Sequence, residues 1–590
     1  MVDPPTIDVS PCTDYRRPLS IFKVSSHPET LDIGSNSPIS HCPKTIYSEK
    51  EPSMFRLPPE LLVEIFVAAC EGSTHSCINR SSDIYPGFTL SFVCSRWREI
   101  VIDTPRLWSK MEIIVMNKED LSPRKIDRIQ RFVDFHWERM GSTVPLDFVL
   151  HIPSPNSAEF CHPERWTSSS LRQHITPILQ RFYVEAHRWR TVSISAFEHQ
   201  LRLENTKLPQ SLPMAENVEL CSLYSRQGCS LLEGLSSRIR TLTLSGEWMI
   251  NENFSKTSFP FLQSLSLQGV IHDSYILHLS PLRLASSLTT VNLCDFCNFQ
   301  SLSSQERIIT CHAKALKITP TCYGDIESTN RALHDLLDKL HLPHIIQLIF
   351  SYKMERRSHT SIRSFRFPTQ AFFSLLDNRS NPQMITHLVI ERFAMETSTL
   401  LGIIRKLPFL THLSVDERCD PCDIRFGHSF PILSSVIFDS LSWSSPLLDP
   451  ITGQNLKQTT PHPHPQPTSS TCSCSQQIIL PRLTEVRFVF HRSWFRHADR
   501  KDVWDMLDSR LEVSNPLMCS LSSQAHDPDL LLDGQTSNFN PLKRVEILVP
   551  EGSITDRDVE RVSKLRMMGL CVSLEEYKPR VVTLGYIPHY

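Results

Sequence analysis

The strongest constraint on this chain is a spacing. Apolar triplets of the form LxxLxL recur along it: Ile239, Leu242, Leu244; Leu262, Leu265, Leu267; Leu288, Val291, Leu293; Ile385, Leu388, Ile390; Leu410, Leu413, Val415; and Leu433, Val436, Phe438. With Val218, Leu316 and Phe365 added, the middle residues fall at 218, 242, 265, 291 and 316, then at 365, 388, 413 and 436. The steps are 24, 23, 26 and 25, then 23, 25 and 23. Apolar residues two apart belong to one face of a strand, and a return every 20 to 29 residues, roughly, is the period of a stacked repeat. A unit this small cannot bury its own apolar edge, so each must lean on its neighbours.

That period resembles leucine-rich repeats. Their consensus also places Asn or Cys three residues after the last apolar position; here those positions hold Glu247, Val270, Phe296, Phe393, Arg418 and Leu441. The expected region is therefore a degenerate α/β leucine-rich-repeat-like solenoid over residues 201–441. Terminal repeats containing LTEVRFVF and LKRVEILVP follow over 479–577, with a loop insertion near 515–540. Residues 116–200 read as connecting helix–strand units. KIDRIQRFVDFHWERM carries Ile126, Ile129, Val133 and Trp137 at helical spacing before the strand-like VPLDFVLHI; SLRQHITPILQRFYVEAHRWR then precedes TVSIS. The residues alone also admit a mixed α/β domain with unrelated strands. The expected class is α+β overall.

Composition sets the rest of the plan. At 590 residues the chain holds three or four domain equivalents, and 42 Pro against 16 Gly point to long structureless stretches between packed ones. These are expected as a tail over 1–50, a low-complexity linker over 442–478 that includes TTPHPHPQPTSSTCSCSQQ, and a tail over 578–590. Ser and Thr in such loops are accessible to phosphorylation.

Several function classes lose their footing. Lys and Arg total 61 against 63 Asp and Glu, a net charge of −2, so there is no global attraction for nucleic acid. The basic-aromatic run RSWFRHADRKDVW reads as a solvated helix with Trp494 and Phe495 packed inward. No two glycines stand in GxGxxG, GxxxxGK or GxSxG spacing, and no His precedes Glu as in HExxH. Cys294 with Cys297, Cys419 with Cys422, and Cys472 with Cys474 lie too far from one another to close a tetrahedral zinc site. His462 and His464 stand in an extended, solvated tract. We expect no disulfide, metal or cofactor and no enzymatic activity. The N-terminus lacks a signal-like apolar core and no window suits a membrane span, so a cytoplasmic and/or nuclear protein is expected.

Residues 51–115 are the most patterned segment. Pro58 and Pro59 suit a helix start and Glu60 favours its dipole, after which Leu61, Leu62, Ile65, Phe66 and Ala69 recur at helical spacing. Beyond a polar stretch, Leu90, Val93, Cys94, Trp97 and Val101 form a second helical element, either continuous or broken in two. Thr104-Pro105 ends it, and Leu107 and Trp108 can fold back as an apolar clasp.

In order, LPPELLVEIF, FVCSRWREI and TPRLW resemble an F-box, the small three-helix module that docks a protein onto the Skp adaptor of a cullin–RING ubiquitin ligase. The stretch from Cys70 to Pro86 is longer than the usual link between the first two helices. The resemblance implies adaptor contacts at Leu57, Pro58, Leu61, Ile65, Leu90, Val93, Cys94 and Trp97, with Trp108 bracing the module. It also implies an SCF-type substrate-recognition subunit whose repeat region holds a target protein. Periodicity alone favours a hairpin whose apolar residues are all core, and hence a leucine-rich-like interaction scaffold with no ubiquitin role.

Overall fold

The structure is a computed structural model that describes residues 57–71, 86–114, 123–151, 177–195 without 179, 211–221, 235–245 without 236, 259–269, parts of 276–300, 308–322, 326–354, 366–418, 432–442, 480–490, 497–514 and 541–577. The tails, the 443–479 tract, residues 515–540, Phe365, Cys419, Cys422, Trp494 and Phe495 lie outside the described residues. The chain divides into two compact units, Met1–Pro58 and Pro59–Tyr590, and every described helix and strand belongs to the second.

The second unit is α+β. Its principal sheet has fourteen strands in a single path, β1 (Lys110–Ile114), β2 (Leu146–His151), β3 (Trp189–Ser195), β4 (Asn217–Cys221), β5 (Thr241–Ser245), β6 (Ser264–Gln268), β7 (Thr290–Phe296), β8 (Ala315–Cys322), β9 (Gln347–Ser351), β10 (His387–Glu391), β11 (His412–Asp416), β12 (Glu485–Val489), β13 (Arg544–Pro550) and β14 (Cys571–Tyr577). The short strand Lys353–Met354 adds to β8, and the path does not close into a barrel. Each strand of the path pairs with the next, and every pairing is parallel. Parallel crossovers are right-handed in about 98% of cases, so an order that never reverses keeps all connections on one face.

The entrance to each strand explains the common register. Nine carbonyls, of Glu216, Arg240, Gln263, Thr289, Lys314, Ile346, Thr386, Thr411 and Thr484, each accept hydrogen bonds from two successive N–H groups at the start of the following strand, at 2.7 to 3.1 Å. A carbonyl oxygen has two lone pairs, so the double use satisfies both donors. From β4 to β7 the side chains alternate in phase: Val218, Leu242, Leu265 and Val291 are aligned and buried, as are Leu220, Leu244, Leu267 and Leu293. The apolar middle positions expected from spacing at 218, 242, 265, 291, 316, 388 and 413 lie in strands.

Two elements differ from the spacing. Val436 belongs to a helix, Ser435–Leu441, rather than a strand, and is exposed. Leu433, Ile437, Phe438 and Leu441 are buried there at i, i+4, i+5 and i+8, a helical stripe that the triplet reading overlooked. The strand β9 was not anticipated, because the helix Ile326–Lys339 precedes it and stretches its unit beyond the common period. The sheet also begins N-terminal of residue 201, since β1, β2 and β3 belong to it.

Aromatic packing occupies places where the consensus has a polar ladder. Phe296 and Phe393 are buried; Phe393 meets Phe367, which meets Phe350 and Phe372 at ring distances of 5.2 to 5.6 Å. Near Phe296 the chain turns sharply, with Asp295 at φ 51° and its carbonyl pressed on Gly269. A Cβ at 269 would stand 2.0 Å from that oxygen, so only glycine fits there.

Arg510, on the helix His497–Ser514, is 1% exposed and spans the ends of the 443–479 tract. Its Nε donates to the Leu441 carbonyl at 2.7 Å and its Nη1 to the Leu480 carbonyl at 3.1 Å, while burial draws its pKa down to about 10. Both chain ends are thus held by one guanidinium. Removing it leaves two buried acceptors without these donors and a cavity, so Arg510→Ala is expected to lower stability by about 3 kcal/mol. Urea denaturation of the full chain measures this; an unchanged midpoint refutes the clasp.

Candidate protein-docking site

The helical segment starts with α1 (Pro59–Glu71), followed by α2 (Pro86–Ser91), α3 (Ser95–Ile102) and the 3-10 turn Pro105–Trp108. The second helical element is therefore broken in two. Cys94 makes the break: its backbone is extended, and its Sγ accepts the Trp97 N–H at 3.4 Å, capping α3. Arg98 ties the pieces together by donating from Nε to the Ser91 carbonyl at 3.0 Å.

The interior is built from one stripe of α1. Leu62, Phe66, Val67 and Cys70 are buried, and the Phe66 ring meets Trp97 of α3 at 4.7 Å. Trp108 is 1% exposed, donates from Nε1 to the Val101 carbonyl at 2.8 Å and packs edge-on against Phe88 and Phe135. Phe135 belongs to α4 (Pro123–Met140), where Arg139 lies 3.3 Å above the same ring. The clasp expected of Leu107 and Trp108 is thus formed one residue before β1, joining the helices to the sheet edge.

A second apolar stripe of α1 faces outward. Leu61 is 52% exposed and Ile65 47%, and at i and i+4 they share one face of the helix. At the end of α2, Val93 is 56% exposed and Phe92 72%. Leu90 and Trp97 are half-buried, and Cys94 is partly exposed. Leu57 is half-buried and Pro58 exposed; both belong to the first compact unit. The expected contact residues therefore separate by role: Leu61, Ile65 and Val93 are open to a partner, Trp97 and Cys94 hold the helices in place, and Trp108 is an internal brace out of a partner's reach. Phe92 was missed because it stands off the helical stripe, at the break; its apolar character beside Val93 was the available signal.

Fully burying a large apolar side chain is worth about 1.5 to 3 kcal/mol, so covering the open halves of these four offers on the order of 4 kcal/mol to whatever docks there. The helices do not need this stripe for their own core. No helix among the described residues is long and apolar enough to cross a membrane, and no group of three or more His, Cys, Asp or Glu among them could hold a metal ion.

The sheet offers a second surface, the face opposite the core. Its register aligns Thr191, Asn217, Thr241, Ser264 and Thr290 in one row, and Ser193, Glu219, Thr243, Ser266 and Asn292 in the next. Further along, the rows carry His387, His412, Glu485 and Arg544, then Val389, Ser414, Arg487 and Glu546. Arg487 lies between Glu546 at 3.2 Å and Glu391 at 3.8 Å. The face thus changes from mostly hydroxyl and amide groups, with the single carboxylate of Glu219, to paired charges.

No protein-family model matches this chain, and no curated protein matches it either.

Within the charged part, the imidazoles of His387 and His412 stack at 3.8 Å with an interplanar angle of 11°, and His412 Nε2 is 3.2 Å from Glu485. Burial lowers the His387 pKa, the neighbouring His412 lowers it further, and Glu485 partly opposes both. A histidine depressed in the native state takes up its proton more readily when unfolded. Its stabilising contribution is therefore present above the unfolded value of about 6.5 and is lost as pH falls through the native pKa. The melting temperature is expected to fall on acidification from pH 7.5 to 5.5, and to fall less in His387→Gln. The effect is modest because the ring is only part-buried; identical pH profiles for the two proteins exclude the mechanism.

Proposed function

We propose that this protein is the substrate-recognition subunit of an SCF-type cullin–RING ubiquitin ligase. The helical segment acts as an F-box that docks on a Skp-type adaptor, and the sheet region, a leucine-rich-repeat-like solenoid, holds a target protein on its open face. One observation carries this reading: α1 bears two apolar stripes, of which Leu62, Phe66, Val67 and Cys70 form the internal core while Leu61 and Ile65 remain exposed. A hairpin serving only its own domain has no use for the second stripe. LPPELLVEIF, FVCSRWREI and TPRLW supply the motif order, and α1, α2, α3 and the Trp108 turn follow in that order.

The subunit performs no bond chemistry. Its contribution is proximity: a target and a charged ubiquitin-conjugating enzyme held in one assembly react as if intramolecular. The hydroxyl- and amide-rich rows on β3 to β7, which carry one carboxylate, Glu219, and the ion-paired rows on β10 to β13 offer a target two chemically different stretches.

A scaffold reading without a ubiquitin role is supported by a separate observation. Trp108 and Leu107 are buried immediately before β1, so the helices also shield the first edge of the stack. Shielding and docking use different stripes, which is why binding, rather than protease resistance, separates the two readings.

Full-length protein is expected to bind a purified Skp-type adaptor, and Leu61→Asp or Phe92→Asp to weaken that binding by about 2 to 4 kcal/mol, roughly 30- to 1,000-fold. Both residues are exposed, so the variants are expected to keep the native circular dichroism spectrum. Biolayer interferometry with immobilised adaptor reads the difference. Equal binding by a folded double variant, or none by the parent protein, withdraws the ligase assignment and leaves the scaffold.

A further inference from the structure

The turn leading into each strand repeats along the sheet. From β4 to β13 the residue two positions before the strand is buried in every unit, from Ala215 and Ile239 to Leu483 and Leu542. The residues flanking it, one and three positions before the strand, are turned outward, and neither is buried in any unit. The strand starts are aligned from Asn217 to Arg544, so these residues form two rows along the entrance edge of the sheet. That edge is separate from the exposed stripe of α1 and from the open face.

Charge is distributed unevenly along it. Arg238, Arg240, Lys314, Arg482 and Lys543 stand in the two rows against one carboxylate, Glu216, a single strand away from Arg240. The two residues before the rows are uncharged in every unit, and at the first strand position the only acid and the only Arg or Lys, Glu485 and Arg544, are register partners. Arg238 has partners of its own, among them Met214 Sδ, to which its Nη1 donates at 3.7 Å. Arg240, Lys314 and Lys543 make no ion pair with a described residue, and Arg482 lies 4.3 Å over the ring of Phe409 in the same row. Even with Arg238 set aside, four cations face one carboxylate. Apolar groups are interleaved with them: Phe261 is 59% exposed and Met384 44%.

We propose that this edge binds an acidic, extended segment of a partner protein, its carboxylates meeting Arg240, Lys314, Arg482 and Lys543 and its apolar side chains meeting Phe261 and Met384. Neighbouring strands lie about 4.8 Å apart, so the cations from β5 to β13 are spread over roughly 38 Å and do not converge on one small anion. A nucleic acid or an anionic bilayer presents dense charge over a broad area and meets the net −2 of the whole chain. A single segment lying on the edge feels mainly the rows, because charges beyond a Debye length of about 8 Å are screened. Apolar contacts between the cations suit a chain of mixed side chains rather than a uniform polyanion. An extended polypeptide rises about 3.3 Å per residue, so about twelve residues span the rows.

The test is fluorescence anisotropy with full-length protein and a fluorescein-labelled peptide of about twelve residues in which glutamates alternate with leucine and serine. The same peptide with glutamine for glutamate and a labelled oligothymidine are measured alongside, and phosphatidylserine-containing vesicles by co-sedimentation. Saturable binding of the glutamate peptide, weakening as salt is raised, and none of the glutamine peptide is expected. Arg240→Glu, Lys314→Glu and Lys543→Glu together are expected to weaken it about tenfold or more, and each alone about threefold. All three side chains are exposed, so the variants are expected to keep the parent melting temperature. Arg557→Glu reverses an exposed cation at the start of the last helix, outside the rows, and is expected to bind as the parent does. No saturation by the glutamate peptide, equal binding of the glutamine peptide, tighter binding of oligothymidine or vesicles, undiminished binding by the folded charge-reversed variants, or an equal loss in Arg557→Glu overturns the proposal. No readout involves the Skp-type adaptor, so this edge and the ligase reading stand or fall separately.

Discussion

The register of the sheet depends on the carbonyl that precedes each strand from β4 to β12. By accepting two successive N–H groups from the next strand, it fixes where that strand enters the sheet, and therefore which of its side chains face inward. A slip of one residue would reverse every side chain of a strand, placing leucines outside and threonines within. The ladder prevents this at nine consecutive entrances through backbone groups, to which the hydroxyls of Thr289, Thr411 and Thr484 add a bond on the same carbonyls at three. That is how residues as different as Glu216, Gln263, Thr289 and Ile346 occupy equivalent places.

The same constraint accounts for the unequal lengths of the units. The backbones leading into β11 and β12 are joined by the Thr484 bond to the Thr411 carbonyl across 73 residues, yet the geometry matches that of Thr411 on Thr386, across 25. Loop-closure entropy grows only logarithmically with length, so an insertion costs little provided its ends return to the right place. At the 443–479 tract Arg510 secures that return by gripping Leu441 and Leu480. The capping box of Thr555 and Asp558 performs a related task for the last helix, Asp556–Met567. Burial works against the Asp558 carboxylate, but hydrogen bonds from Thr555 and Trp504 and the charge of Arg500 outweigh it and hold its pKa down.

These causes decide which parts were legible in the sequence. The strands around Leu242, Leu265, Val291, Leu388 and Leu413 could be located because their side chains report burial directly, every second residue. The ladder could not be found, since backbone hydrogen bonds leave no mark on residue type. Val436 misled because SVIF satisfies a strand triplet and a helical stripe at once, and only the burial of Ile437 and Leu441 separates them. Phe296 and Phe393 looked like missing polar groups when they are packed aromatics. In the helical segment, periodicity located α1 and a second helical element but not the break at Cys94, and it could not tell Leu61 from Leu62. Both are leucines on the same turn, and only the position of Phe66 and Trp97 decides which one is inside.

That last distinction is where fold and function meet. A short helix with apolar residues on two sides must leave one uncovered unless a second surface arrives, and here Trp108, Phe88 and Phe135 fill the space on the sheet side. The module is therefore held by its own Phe66–Trp97 contact and by Trp108 against Phe88 of α2 and Phe135 of α4, rather than by whatever covers Leu61 and Ile65. The proposed docking is thereby left free of any duty to hold the protein together. A reversible partner needs that separation, because a stripe required for folding could never be exposed, and one too well covered from within could never bind.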